Sequence, residues 1–281
     1  MIIKEGIMQI FSQILSYLLP VFYLIVLIIY YRIYFGNERK YENKTKIILL
    51  SLITIHGVEI VVRQLFLKAM PLSSAFDAFS FLGFAILLVY YIIENTFENR
   101  ASGFFILLFA FFPVLFSAFQ HDWQAESNPL LSDPTFTIHA SLNIIGYTAL
   151  AISAIYAMLY LIQYRNIKEK RFNKIFDQLP PVTYLENMSK IAVLIGIVLM
   201  GIGIFLGHMQ TQKAFGQFFY SDPKVIITDL IWLAYLIIYL AAHFKKWSAR
   251  IMAYLSITGF VILLTGMAIV LTVGKSFHEF Y

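Results

Sequence analysis

The 281-residue chain contains no cysteine. Thiol exchange, disulfide staples and thiolate ligation of a metal are therefore excluded. Any metal or metallocofactor has to be held by His, Met, Tyr or carboxylate. Charge is also scarce, at 13% of residues, where a soluble domain carries about 25%. What fills the chain instead is apolar: 60% hydrophobic residues, 27 Phe and 18 Tyr, with mean hydropathy +0.75. A single globule of this size cannot hide so much apolar surface from water. The composition implies an all-α polytopic bundle that packs helix on helix with the lipid bilayer as its solvent. The opening MIIKEGIMQIFSQ has no basic n-region and no small-residue cleavage site, and the apolar run behind it exceeds a signal-peptide core, so it reads as a retained first span. Repeats and low-complexity tracts are lacking too, and residues 1–281 read as one transmembrane domain.

Crossing the hydrocarbon takes about 20 apolar residues. By that measure eight spans are expected, at 10–34, 47–67, 75–95, 102–119, 136–162, 190–207, 225–244 and 250–272. Fifteen of the 21 Lys and Arg fall in or beside the connections after spans 1, 3, 5 and 7. Five fall at the termini and in the other connections, and Arg63 lies within span 2. The positive-inside rule then places both termini outside. The net charge of +5 is a topology signal. No soluble segment interleaves basic and base-stacking residues, so nucleic acid is not an expected partner. The 163–189 connection is expected to be helical near the membrane and broken at Pro180-Pro181. It reads as a solvated linker or as a docking surface for a cytoplasmic partner.

Ionisable residues inside spans are costly and mark sites. His56, Glu59 and Arg63 share one face of span 2 at i, i+3 and i+7. They read either as a structural polar seam, in which Glu59 and Arg63 neutralise each other, or as the lining of a cofactor cavity. Asp229 is a second potential partner for Arg63. The other histidines sit at membrane edges. His139 opens span 5, with Asn143 and Gly146 on its face. His208 ends span 6 and His278 ends span 8, both on the outer side. His243 ends span 7 on the inner side, on one stripe with Trp232 and Tyr239. His121 falls in an outer connection.

Between spans 6 and 7 lies FGQFFYSDPK, residues 215–224, four aromatics around Gly216 followed by a charged turn. Zinc spacings, nucleophile elbows, phosphate loops and paired catalytic carboxylates are missing. Imidazoles far apart in sequence, flat aromatics and a few cations suit haem, with two neutral imidazoles on the iron and Lys224 a candidate for a propionate. A quinone, a lipid or another amphiphile remains open on the same residues.

The chain resembles the cytochrome c assembly family of haem-handling membrane proteins, which includes CcsA, CcmC and HemX-like branches. Family members carry an outward Trp-Gly-x-x-Trp-x-Trp-Asp-Pro-Lys-Glu-Thr loop. Here Phe215-Gly216 stands at the first Trp-Gly, Phe219 at the second Trp and Ser221 at the third, while Asp222-Pro223-Lys224 matches directly. Trp232 and His243 match the following span. His139, with Tyr147 eight residues on, matches a family His, and His278 in FHEFY matches a terminal signature. MPLSSAFDAFSF resembles the Pro-rich approach to the third span. The resemblance covers roughly residues 50–281. It implies that His139 and His278 are axial ligands of a haem b on the outer side, roofed by the 215–224 loop. It places His243 at a second, inner haem; His56 is added as its partner on grounds of intramembrane burial alone, and Arg63 as a charge lining that cavity.

The function implied is presentation or delivery of haem for cytochrome c assembly, in a bacterial cytoplasmic membrane, with apocytochrome c or other assembly subunits as partners. The role is that of a haem chaperone rather than a self-sufficient enzyme. All three loop tryptophans are replaced, and Val225-Ile226 stands where Glu-Thr is expected. A Phe in place of Trp keeps stacking area and loses the indole donor. The tryptophan-poor form resembles the HemX-like branch, which implies a second function: control of a cytoplasmic enzyme of haem synthesis through the 163–189 connection. A transporter or quinone-binding subunit is the third.

Overall fold

The computed structural model describes residues 2–36, 39–67, 72, 74–97, 100–120, 134–218 and 222–273. His121, Phe219 and His278 lie outside the described residues. Every regular element among the described residues is helical: α1 (Ile2–Gly36), a 3-10 turn (Arg39–Lys44), α2 (Thr45–Leu67), α3 (Ala75–Phe97), α4 (Gly103–Ser117), α5 (Pro134–Lys168), α6 (Lys174–Gln178), α7 (Val182–Phe215), α8 (Pro223–Lys245) and α9 (Ala249–Val273). Seven of these are long and apolar enough to cross a membrane. The expected span at 102–119 is the exception. Its helix α4 has 15 residues, about 22 Å at 1.5 Å per residue, shorter than the ~30 Å hydrocarbon.

Local chemistry sets the helix ends. Asp222 caps α8, its side chain accepting from Lys224 N at 2.8 Å, and Pro223 takes the first helical position, where no N–H is needed. Gly216 closes α7 at φ 70°, a left-handed conformation that glycine adopts without strain. Pro180-Pro181 separates α6 from α7, as the sequence leads one to expect. Ser74 and Asp77 exchange backbone–side-chain bonds of 3.1 Å at the start of α3, a reciprocal cap.

The chain forms two compact units, Met1–Thr137 and Ile138–Phe280. In the first, α1–α4 enclose a core in which Leu49, Ile86, Tyr90, Ile106 and Val114 are fully buried. A Cβ on Gly83 of α3 would strike Val114 of α4, so this glycine permits the two helices to approach. A second polar knot sits near the other end of the unit. Buried Glu94 accepts from Tyr30 and, at 2.7 Å, from Tyr90, and Arg100 reaches it at 3.4 Å.

In the second unit α5 meets α7 through small residues. Gly146 faces Met200, Gly196 faces Leu150, and the Ser153 and Ser189 hydroxyls donate to one another's backbone carbonyls at 3.0 and 3.1 Å. Such contacts suit a bundle in lipid, where close backbone approach replaces the water-driven core. Trp232 of α8 lies on Gly201 of α7 and donates its indole N–H to the Ile197 carbonyl at 2.8 Å. Outside the spans, Arg165 and Arg171 pair with Glu169 at 2.8 Å on a well-exposed surface, where water screens the attraction.

Candidate functional site

The site that best fits a ligand is in the second unit, around the start of α5. His139 stands one turn inside that helix, half-buried. Its Nδ1 donates to the Gly203 carbonyl of α7 at 2.6 Å. A carbonyl can only accept, so this bond fixes the tautomer, and Nε2 keeps its lone pair. Asn143, one turn on, brings Nδ2 to 3.1 Å from Nδ1 and 3.5 Å from Nε2. Its Oδ1 is buried with no hydrogen-bonding partner among the described residues. The wall opposite is glycine. A Cβ at Gly203 would stand 2.6 Å from Asn143 Oδ1, and one at Gly207 would stand 2.5 Å from His139 Cε1. The imidazole edge therefore rests directly on the α7 backbone.

His208 follows Gly207 and does a different job. One nitrogen, Nδ1, bonds the Phe218 carbonyl at 3.0 Å, and the other, Nε2, bonds Asp229 Oδ2 of α8 at 3.0 Å. The ring stacks on Phe218, with centroids 5.2 Å apart. Thr211 Oγ1 donates to the same Phe218 carbonyl at 3.0 Å. Both acceptors of His208 lack hydrogens, so making both bonds takes one proton more than a neutral imidazole and a carboxylate hold between them. His208 thus ties α7, the first half of the 215–224 segment and α8 together. Both of its nitrogens are engaged, which answers whether it competes with His139: it is a tether in this arrangement. Asp229 is accordingly a partner of His208.

Of the other expected site residues in this unit, Asp222 is 3% exposed and serves as the α8 cap. Lys224 and His208 lie near enough to His139 to act on it electrostatically. Phe215 is 39% exposed at the end of α7. Trp232 is half-buried against Gly201. His243 is exposed in the last turn of α8, its ring 5.5 Å from that of Phe244.

The span-2 residues lie in the first unit, and all three are interior. His56 and Glu59 are 0% exposed and Arg63 is 1%. His56 spends both nitrogens on hydroxyls, Nδ1 with Tyr23 of α1 at 2.8 Å and Nε2 with Ser80 of α3 at 2.9 Å. Glu59 Oε1 accepts from Ser16 Oγ of α1 at 2.8 Å. The expected neutralisation of Glu59 by Arg63 is not the main pairing. Arg63 Nε bonds Asp77 of α3 at 2.9 Å, and its guanidinium lies 4.1 Å above the Phe76 ring. The two helices α2 and α3 cross with Asp77 at the right height, whereas Glu59 is turned toward α1. Sequence reasoning missed Asp77 because it sits at a helix start and reads as a cap; the Ser74-x-x-Asp77 spacing beside a lone intramembrane Arg was the available signal. Among the described residues no group of three or more His, Asp or Glu converges as a metal cluster.

A family model described as "Cytochrome C assembly protein" matches residues 72–278. The cytochrome c biogenesis protein CcsA of Guillardia theta is 26% identical over 229 residues, 75% of this chain and 76% of that protein. Its namesake from Prochlorococcus marinus strain AS9601 is 22% identical over 266 residues, 86% of each chain. Protein HemX of Brevibacillus brevis is 28% identical over 112 residues, 40% of this chain and 41% of that one.

Proposed function

Starting from a chain that belongs to the cytochrome c assembly family, and is a multi-pass membrane protein with a part in cytochrome c biogenesis, we propose that it holds haem b at the outer face and presents it to apocytochrome c. The supporting observation is His139: the Nδ1–H bond to Gly203 orients the ring and leaves Nε2 as the ligand atom. Metal-ligating histidines use their second nitrogen in this way. The neighbouring residues fit the same cargo. Gly203 and Gly207 leave a bare wall, Asn143 Oδ1 is buried without a partner among the described residues, and Lys224 is a cation at the same level. His278 supplies the second axial imidazole in this reading, with Phe215, Phe219 and Asp222-Pro223-Lys224 as the cover. The chain's own part is to orient iron and shield it; thioether formation draws its thiols from the apocytochrome, since this chain has none.

The topology proposed with it has eight crossings and both termini outside, in a bacterial cytoplasmic membrane. Lys and Arg cluster after α1 and again after α5, at Arg165, Lys168, Lys170, Arg171 and Lys174. Placing both clusters inside requires the short α4 to cross. As an axial ligand of an inner haem, His56 would have to release Tyr23 or Ser80.

Purified full-length protein supplied with haem should show a Soret band. His139→Ala should remove most of it, and His121→Ala should leave it intact. Failure to develop the band in the wild type overturns the haem reading and favours a quinone or transport role. The resemblance to HemX favours a second reading, control of a cytoplasmic haem-synthesis enzyme through 163–189. Neutralising Arg165, Lys168, Lys170 and Arg171 together would then change cellular haem levels without changing the Soret band.

A further inference from the structure

The buried charges of the first unit do not cancel. Arg63 is paired with Asp77 at 2.9 Å. His56 has hydroxyl partners on both nitrogens and carries no demand for charge. That leaves Glu59, which is 0% exposed. Three elements face it. From α1 comes Ser16, which is uncharged and donates to Oε1 at 2.8 Å. From its own helix come His56 and Arg63. From α3 comes Asp77, paired with Arg63.

The hydrogen-bond inventory agrees with the charge count. Ser16 Oγ has one proton and lies 2.9 Å from the Ser12 carbonyl as well as 2.8 Å from Glu59 Oε1, so the carboxylate's share of that donor is partial. Glu59 Oε2 has no hydrogen-bonding partner among the described residues, and neither has Ser12 Oγ, which is also wholly buried one turn before Ser16. An ionised carboxylate in hydrocarbon needs donors at both oxygens or a bound cation. A neutral carboxylic acid carries no charge to desolvate, so the same surroundings cost it far less.

We propose that Glu59 is a reversible proton-binding site inside the membrane: Oε2 takes up one proton to give a neutral acid, held against Ser16, and releases it to leave one uncompensated negative charge between α1 and α2. The site rests on residues of the first unit, whereas the outer haem reading rests on His139 in the second, so the two readings can fail separately.

The test is infrared difference spectroscopy of the full-length protein in phosphatidylcholine nanodiscs, stepped from acid to alkaline pH. A protonated-carboxyl C=O band is expected that vanishes on alkalinisation and is missing from Glu59→Gln. Because Ser16 bonds the carbonyl oxygen, Ser16→Ala should shift the band in frequency. That variant keeps the carboxyl and serves if Glu59→Gln does not assemble. Three results overturn the proposal: no such band at any pH, a band that persists unchanged in both variants, or a band removed by sodium chloride at constant pH, which would make the ligand Na⁺ rather than H⁺.

Discussion

Helix α2 in the first unit and helix α5 in the second each carry a histidine with polar neighbours a turn away, yet the two faces are built to opposite ends. On α2 every imidazole nitrogen is consumed. Tyr23 and Ser80 close the His56 ring, Asp77 and Phe76 hold Arg63, and Glu59 Oε2 has no hydrogen-bonding partner among the described residues. On α5 the Gly203 carbonyl orients the ring of His139 through Nδ1, and a Cβ at Gly207 would strike that ring. Polarity inside a membrane is therefore two things. When hydroxyls and acids from three helices saturate it, it acts as a clasp. When a backbone carbonyl satisfies half of it, it becomes a ligand site.

That contrast can be broken most severely at Arg63. Arg63→Met leaves Asp77 as an uncompensated buried charge and should cost about 3–5 kcal/mol of unfolding free energy, read by thermal or detergent unfolding. Adding Asp77→Leu should recover much of it. On α5, Gly207→Val drives a side chain into the His139 ring. Haem affinity should fall about 10–100-fold, the usual effect of disturbing what orients a ligand, with folding retained. His56→Phe sharpens the comparison from the other side. It strands the Tyr23 and Ser80 hydroxyls and should cost about 1–3 kcal/mol with the Soret band unchanged; a band reduced by half would instead put His56 on an inner haem. His208→Asn should loosen the 215–218 segment by about 1 kcal/mol, the value of one net hydrogen bond, seen as faster proteolysis there. Glu186→Ala, which breaks an exposed i, i+4 pair with Lys190, should change stability by under about 0.5 kcal/mol.

The helix plan was written in the residues. Apolar run length located α1–α5 and α7–α9, seven of them long and apolar enough to cross a membrane, and the stops were punctuated by Pro180-Pro181, Gly216 and Asp222-Pro223. The helices overran the expected ends, most at α7 and α1, because the lipid limits only the apolar stretch and backbone bonding carries the helix on into water. The run at 102–119 was legible as apolar and still gave only 15 helical residues. Half of the candidate site was legible as well: His139 and Asn143 share a face by spacing alone. What no spacing showed was that Gly203 and Gly207 sit under them, that His208 is a tether rather than a ligand, or that Arg63 chooses Asp77 over Glu59.

Composition alone determined that this chain is built of apolar membrane-crossing helices and that it contributes no thiol of its own. Those follow from transfer energies and atom inventories, which depend on what residues are present. Which donor meets which acceptor depended on how neighbouring helices are rotated and how closely their backbones approach. Small residues tens of positions away set that approach, so only the packed structure could decide that Glu59 faces Ser16 while the His139 ring rests on bare backbone.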